Sequence, residues 1–68
     1  MKVTVEELRK TEFYYRWAKS TMGGLVDEIS VERRCITPEF EKFVTEHGYV
    51  KEKGRKGKYT DHFVYQGS

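Results

Sequence analysis

The sequence predicts an α+β fold, with two or three helices packed on a C-terminal β-hairpin. Three observations carry that expectation. Thr4 and Glu7 form the capping-box pattern that opens a helix. Thr37-Pro38 opens a second amphipathic segment, which stops at Gly48. Residues 49–65 place alternating side chains on either side of a glycine-bearing tip, the signature of a hairpin.

Taken in order, the capping box is followed by the helix formers Glu6, Leu8, Arg9 and Lys10, so the first helix is expected at about 5–20, ended by Gly23-Gly24. Phe13, Tyr15 and Trp17 alternate in a way that also suits a strand, and the capping box decides for helix. In residues 25–36, Leu25, Ile29, Val31 and Cys35 fall on alternate positions, while Leu25, Val26 and Ile29 fit one helical face; a short helical turn at 25–29 and an extended segment at 30–35 satisfy both. The next helix is the clearest. Thr37 is its N-cap, Pro38 takes N1, Glu39 and Glu41 complement the dipole, and Phe40, Phe43, Val44 and His47 make its inward stripe.

A three-residue loop at Arg55-Lys56-Gly57, with Gly57 left-handed, sets strands at about 49–54 and 58–65. That register pairs Gly54 with Lys58, Lys53 with Tyr59, Lys51 with Asp61 and Tyr49 with Phe63. The core expected from these elements comprises Leu8, Leu25, Ile29, Ile36, Phe40, Phe43, Val44, Val50 and Phe63, with some of the rings of the first helix.

Helix, step and hairpin together resemble the second half of a winged helix-turn-helix domain, over residues 37–65. Gly48, Tyr49 and Val50 match the glycine and apolar pair that end the third helix of that family, and residues 51–58 match its wing. The resemblance implies a DNA-binding domain whose third helix enters the major groove while the wing touches the backbone or minor groove, and it favours DNA over RNA. The exposed face of the capped helix carries Glu39, Glu41 and Glu46 against Lys42, which would repel phosphate, so contact falls to the wing.

Composition narrows the function classes. With 68 residues the chain buries only about 60 % of its unfolded surface, and a net stability of roughly 3–10 kcal/mol is expected. Residues 1–66 are expected to form one domain and 67–68 a disordered tail. The single Cys35 excludes an internal disulfide; no apolar run approaches a membrane span, and the N-terminus lacks the layout of a signal peptide. A cytoplasmic protein with no membrane partner is the expectation.

Net charge is only +2, so affinity for a polyanion depends on where the charges sit. The candidate nucleic-acid-binding residues are Lys51, Lys53, Arg55, Lys56 and Lys58, opposed only by Glu52, with Tyr59 placed to stack. The bland alternative is an edge hairpin kept soluble by lysines. Arg33 and Arg34 either widen the basic patch or neutralise Asp27, Glu28 and Glu32. On a helix, the rings between Phe13 and Trp17 would spread over roughly 200°, too wide for one small core. Either the arc wraps between the capped helix and the sheet with tyrosine hydroxyls at its rim, or part of it is exposed. In the second case Tyr14, Arg16 and Trp17 are the candidate partner-binding residues, suited to a homodimer or another protein.

Cys35, His47, Asp61 and His62 lack metal-ligand spacing, and no nucleophile, acid–base pair or phosphate loop is recognisable, so no cofactor, metal or catalytic residue is expected. The leading expectation is a small nucleic-acid-binding regulatory protein that contacts the phosphate backbone through its hairpin. The alternative is a protein-binding module or small inhibitor using the rings of the first helix or the acidic face of the capped helix.

Overall fold

The computed structural model describes residues 1–53 and 57–67. It shows an α+β domain built on one four-stranded antiparallel sheet. In chain order the elements are α1 (Val5–Lys10), β1 (Trp17–Ser20), β2 (Val26–Glu32), α2 (Pro38–Glu46), β3 (Tyr49–Lys51) and β4 (Thr60–Tyr65), with 3-10 turns at Met22–Gly24 and Arg33–Cys35. The strand order is β1-β2-β4-β3. This sheet overturns the expected set of two or three helices on a C-terminal hairpin, and with it the winged-helix arrangement. The hairpin strand β4 does not stand apart from a helical body; it lies between β2 and β3 and pairs with both.

Helix α1 forms as its cap dictates. The Thr4 hydroxyl accepts from the Glu7 amide at 3.0 Å, and the Glu7 carboxylate accepts from the Thr4 amide at 3.2 Å. The helix stops at Lys10 instead of running to residue 20, because the next segment is extended. Side chains there alternate inward and outward: Phe13 and Tyr15 are half-buried, and Tyr14 and Arg16 are exposed. Phe13 and Tyr15 thus turn inward from the segment between α1 and β1, only Trp17 of the alternating rings lies on a strand, and the capping box governs the chain only as far as Lys10.

Residues 26–32 are a strand throughout, where a helical turn was expected at 25–29. The cause is a register shift. Trp17, Ala18 and Lys19 pair with Ser30, Ile29 and Glu28, but Ser20 pairs with Val26, leaving Asp27 as the extra residue of a bulge. The bulge resets the alternation, so Val26 is fully buried together with Ile29 and Val31. An apolar spacing of three then two is what imitated a helical face. Leu25, expected in the core, is 38 % exposed.

Helix α2 follows its sequence signals. The Thr37 hydroxyl accepts from the Phe40 amide at 3.1 Å, Pro38 occupies the first turn, and Phe40 and Val44 are buried. Gly48 follows with φ of +89°, a backbone region that side chains other than glycine adopt at a cost. A Cβ there would also lie 3.1 Å from the Tyr65 ring.

Strands β3 and β4 pair Tyr49 with Tyr65, Val50 with Val64 and Lys51 with Phe63. The expected register is displaced by two residues, so the connection is longer than a three-residue loop. Gly54, Arg55 and Lys56 lie outside the described residues, as does Ser68 of the expected tail; Gly67 donates its amide to the Gly48 carbonyl at 3.2 Å. Gly57 is not left-handed. Its reason for being glycine is space, since a Cβ would lie 2.8 Å from the Thr60 carbonyl oxygen. A two-residue slip preserves sidedness, so Lys51 and Asp61 still share a face and meet diagonally, Nζ to Oδ2 at 3.5 Å.

One face of the sheet carries Ile29, Val31, Phe63 and Tyr49 and packs against Leu8 of α1 and Phe40 and Val44 of α2. Phe40 meets Phe63 edge-on at 5.4 Å, and Phe13 meets Phe40 in the same way. Val50, expected in the core, pairs with Val64 on the opposite face and is 48 % exposed. The N-terminal segment is fastened by Tyr49. Its buried hydroxyl donates to the Val26 carbonyl at 2.6 Å and accepts from the Val3 amide at 3.1 Å. Tyr49→Phe removes both hydrogen bonds and leaves two backbone groups without partners. It is expected to lower stability by about 1–3 kcal/mol, read as a drop in the urea midpoint. A loss below about 0.5 kcal/mol would show that the fastening contributes little.

Candidate nucleic-acid interface

The β2–β4 pairing determines which cations become neighbours. Its last pair is Glu32 with Thr60, and just beyond it the Arg33 amide donates to the Tyr59 carbonyl at 2.8 Å. This brings the turn after β2 against the chain entering β4. Arg16 arrives from the third segment, because its amide donates to the Ser30 carbonyl at 2.8 Å. Together Arg16, Glu32, Arg33, Arg34, Lys58 and Tyr59 line an open groove of about 620 Å³ at one end of the sheet.

Four cations against Glu32 leave this lining at +3, against a net charge of +2 for the whole chain. The positive charge is therefore concentrated here, and Asp61 beneath Arg33 offsets part of it. Arg33 donates to Asp61 Oδ1 through Nε at 3.2 Å and Nη2 at 3.1 Å, and reaches the Gly57 carbonyl at 3.4 Å. It is held in place and still has an exposed guanidinium edge. The Arg34 Nε lies 2.9 Å from Glu32 Oε2, with most of the side chain in solvent. Lys58 stands over the Tyr59 ring at 5.5 Å, and Tyr59 is 70 % exposed. Among the described residues, neither Arg16 nor Lys53 has an ion-pair partner.

The sequence candidates thus separate. Lys58 and Tyr59 are in the groove; Lys53 is exposed near the hairpin; Lys51 is turned back onto Asp61; Arg55 and Lys56 lie outside the described residues. Of the residues assigned to a protein partner, Arg16 joins the groove, and Trp17 adjoins it on β1. Tyr14 is 65 % exposed on the preceding segment. Arg33 and Arg34 both line the groove. Of the acids considered for them only Glu32 is taken, by Arg34, while Arg33 pairs with Asp61, Asp27 pairs with Lys2, and Glu28 lies beside His62. Unforeseen from the sequence is a cluster on the sheet face opposite the helices. There Trp17, Ser30 and His62 lie in one row across three strands. The Trp17 and His62 rings approach to 5.8 Å over Ser30, which is buried, and His62 Nδ1 lies 3.3 Å from Glu28 Oε2. Only the β1–β2 and β2–β4 registers together reveal this row.

Among the described residues no group of His, Cys, Asp and Glu is arranged to hold a metal ion, and no helix is long and apolar enough to cross a membrane. No protein-family model, curated protein or solved structure matches the chain.

Asp61 is the electrostatic anchor of the groove. Burial pushes its carboxyl up, but the Arg33 hydrogen bonds and the Lys51 and Arg33 charges outweigh burial and hold it below the usual 3.8. A carboxyl depressed in the folded state stabilises above its unfolded pKa and loses that contribution as pH falls through the folded value. Thermal melts should therefore show a drop in stability as pH falls below about 4, and Asp61→Asn should weaken that slope while lowering the melting temperature at pH 7. An unchanged acid slope in Asp61→Asn would remove Asp61 from this role.

Proposed function

We propose that this protein is a small nucleic-acid-binding regulator of the cytoplasm that grips the phosphate backbone in the groove at the end of the β2–β4 ladder. The single observation that carries the reading is the convergence of Arg16, Arg33, Arg34 and Lys58 from three chain segments around the exposed Tyr59 ring. Like charges held this close repel, and an incoming polyanion relieves the repulsion while releasing its counterions. Guanidinium groups are suited to phosphate because their donors form a planar fork. Arg33 is pre-oriented by Asp61, so less side-chain entropy is lost when it binds. Lys53 extends the surface towards the hairpin, with Arg55 and Lys56 included on the strength of their place in the sequence.

The acidic residues of α2, Glu39, Glu41 and Glu46, are exposed. They disfavour phosphate and help confine binding to the groove and the hairpin. The earlier preference for DNA rested on the winged-helix resemblance; the groove chemistry selects phosphate without selecting the sugar.

Lys51 is turned back onto Asp61, so the four groove cations, Arg16, Arg33, Arg34 and Lys58, are the ones counted as phosphate contacts. Four such contacts give a slope of log K against log salt of about −3.6 on a duplex or about −2.8 on a single strand. Fluorescence anisotropy of a labelled oligonucleotide across a salt series measures it. The double variant Arg16→Glu, Lys58→Glu should lose binding while keeping its circular dichroism spectrum and urea midpoint. Wild-type affinity in a folded double variant would reject the groove as the binding site.

A further inference from the structure

The groove alone does not distinguish a duplex from a single strand, but the sheet surface beside it does. We infer that the occupant is a single-stranded nucleic acid, with a base stacked on Trp17 while the groove holds the backbone; this rests on the phosphate-binding reading above. Trp17 directly follows Arg16, so the ring and the groove's first guanidinium share one short segment. Trp17 pairs with Ser30, whereas Ala18 beside it pairs with Ile29 of the core, so the indole stands on the face opposite α1 and α2. The His62 ring supports one side of it at 5.8 Å, and it remains 40 % exposed.

A supported, half-exposed indole is a stacking platform, because its orientation is set before the base arrives. Tyr59 supplies a second exposed ring at the far side of the groove. Arg16, which directly precedes Trp17, lines the groove with Arg33 and Arg34, and Tyr59 lines it too. Rings flanking cations suit a chain whose bases are splayed out and whose phosphates remain accessible. A duplex offers its phosphates but keeps its bases stacked inside, so it would leave both rings unused.

The chain has one tryptophan, which makes the test direct. Intrinsic fluorescence is followed while oligonucleotides of about 12 residues are added: single-stranded oligo-dT, single-stranded oligo-U, and a mixed-sequence duplex and its separate strands. Single strands should quench Trp17 emission saturably, with salt reversing the effect, and the duplex should bind more weakly without quenching. The DNA and RNA arms show whether the 2′-hydroxyl matters. Trp17→Leu preserves apolar cover over Ser30 and should weaken single-strand binding by about 5- to 150-fold, while Trp17→Phe recovers most of it. Binding of single strands without quenching, or duplex binding as tight as that of its strands, overturns this inference and leaves the phosphate-binding reading standing. Failure of every oligonucleotide to bind overturns both.

Discussion

Strand β4 is hydrogen-bonded on both edges, to β2 on one side and to β3 on the other, and the rest of the molecule depends on that double pairing. The last strand in the chain becomes an interior strand of the sheet. β2 and β3, which are joined through α2, must therefore lie one strand apart. That leaves room for Phe63 to sit beneath Phe40 and for Tyr49 to reach the Val26 carbonyl. It also fixes the groove, since Lys58 and Tyr59 enter β4 beside the residues leaving β2. Folding and the proposed binding site thus depend on the same ladder.

The charges are distributed in keeping with that division. Acids close to the cations are placed to orient and moderate them: Asp61 receives Arg33 and Lys51, and Glu32 receives Arg34. Exposed ion pairs of this kind add little to stability. Asp61 differs because its carboxylate is largely buried and accepts two hydrogen bonds from a single guanidinium. Among the described residues at or near the groove, Arg16, Lys53 and Lys58 have no ion pair and are left to solvent or to a ligand. A chain of small net charge can present a polyanion-binding surface when its acids are gathered elsewhere, as on α2.

Local chemistry was legible in the sequence and long-range pairing was not. The Thr4–Glu7 box and the Thr37-Pro38 start give the two α-helices their beginnings, because capping involves residues three apart. The end of α1 was misread since a cap specifies where a helix starts and nothing about its length. The bulge at Asp27 disguised β2, replacing strict alternation with a spacing that two periodicities fit. The hairpin register was misplaced by two residues because loop length was inferred from glycine positions, and Gly57 is required for space beside Thr60 and not for its backbone angle. Of the candidate site, Lys58 and Tyr59 were visible as a basic, aromatic stretch. Their meeting with Arg16, and the row formed by Trp17, Ser30 and His62, follow from strand order, which no local pattern encodes.

The most direct measurement is a backbone amide chemical-shift map of the protein titrated with a short oligonucleotide. A groove assembled by the β2–β4 ladder predicts that perturbations fall on three separate stretches at once, around residues 16–17, 33–34 and 58–59, with α2 unmoved. Perturbations restricted to the hairpin loop, or centred on Glu39, Glu41 and Glu46 of α2, would contradict it.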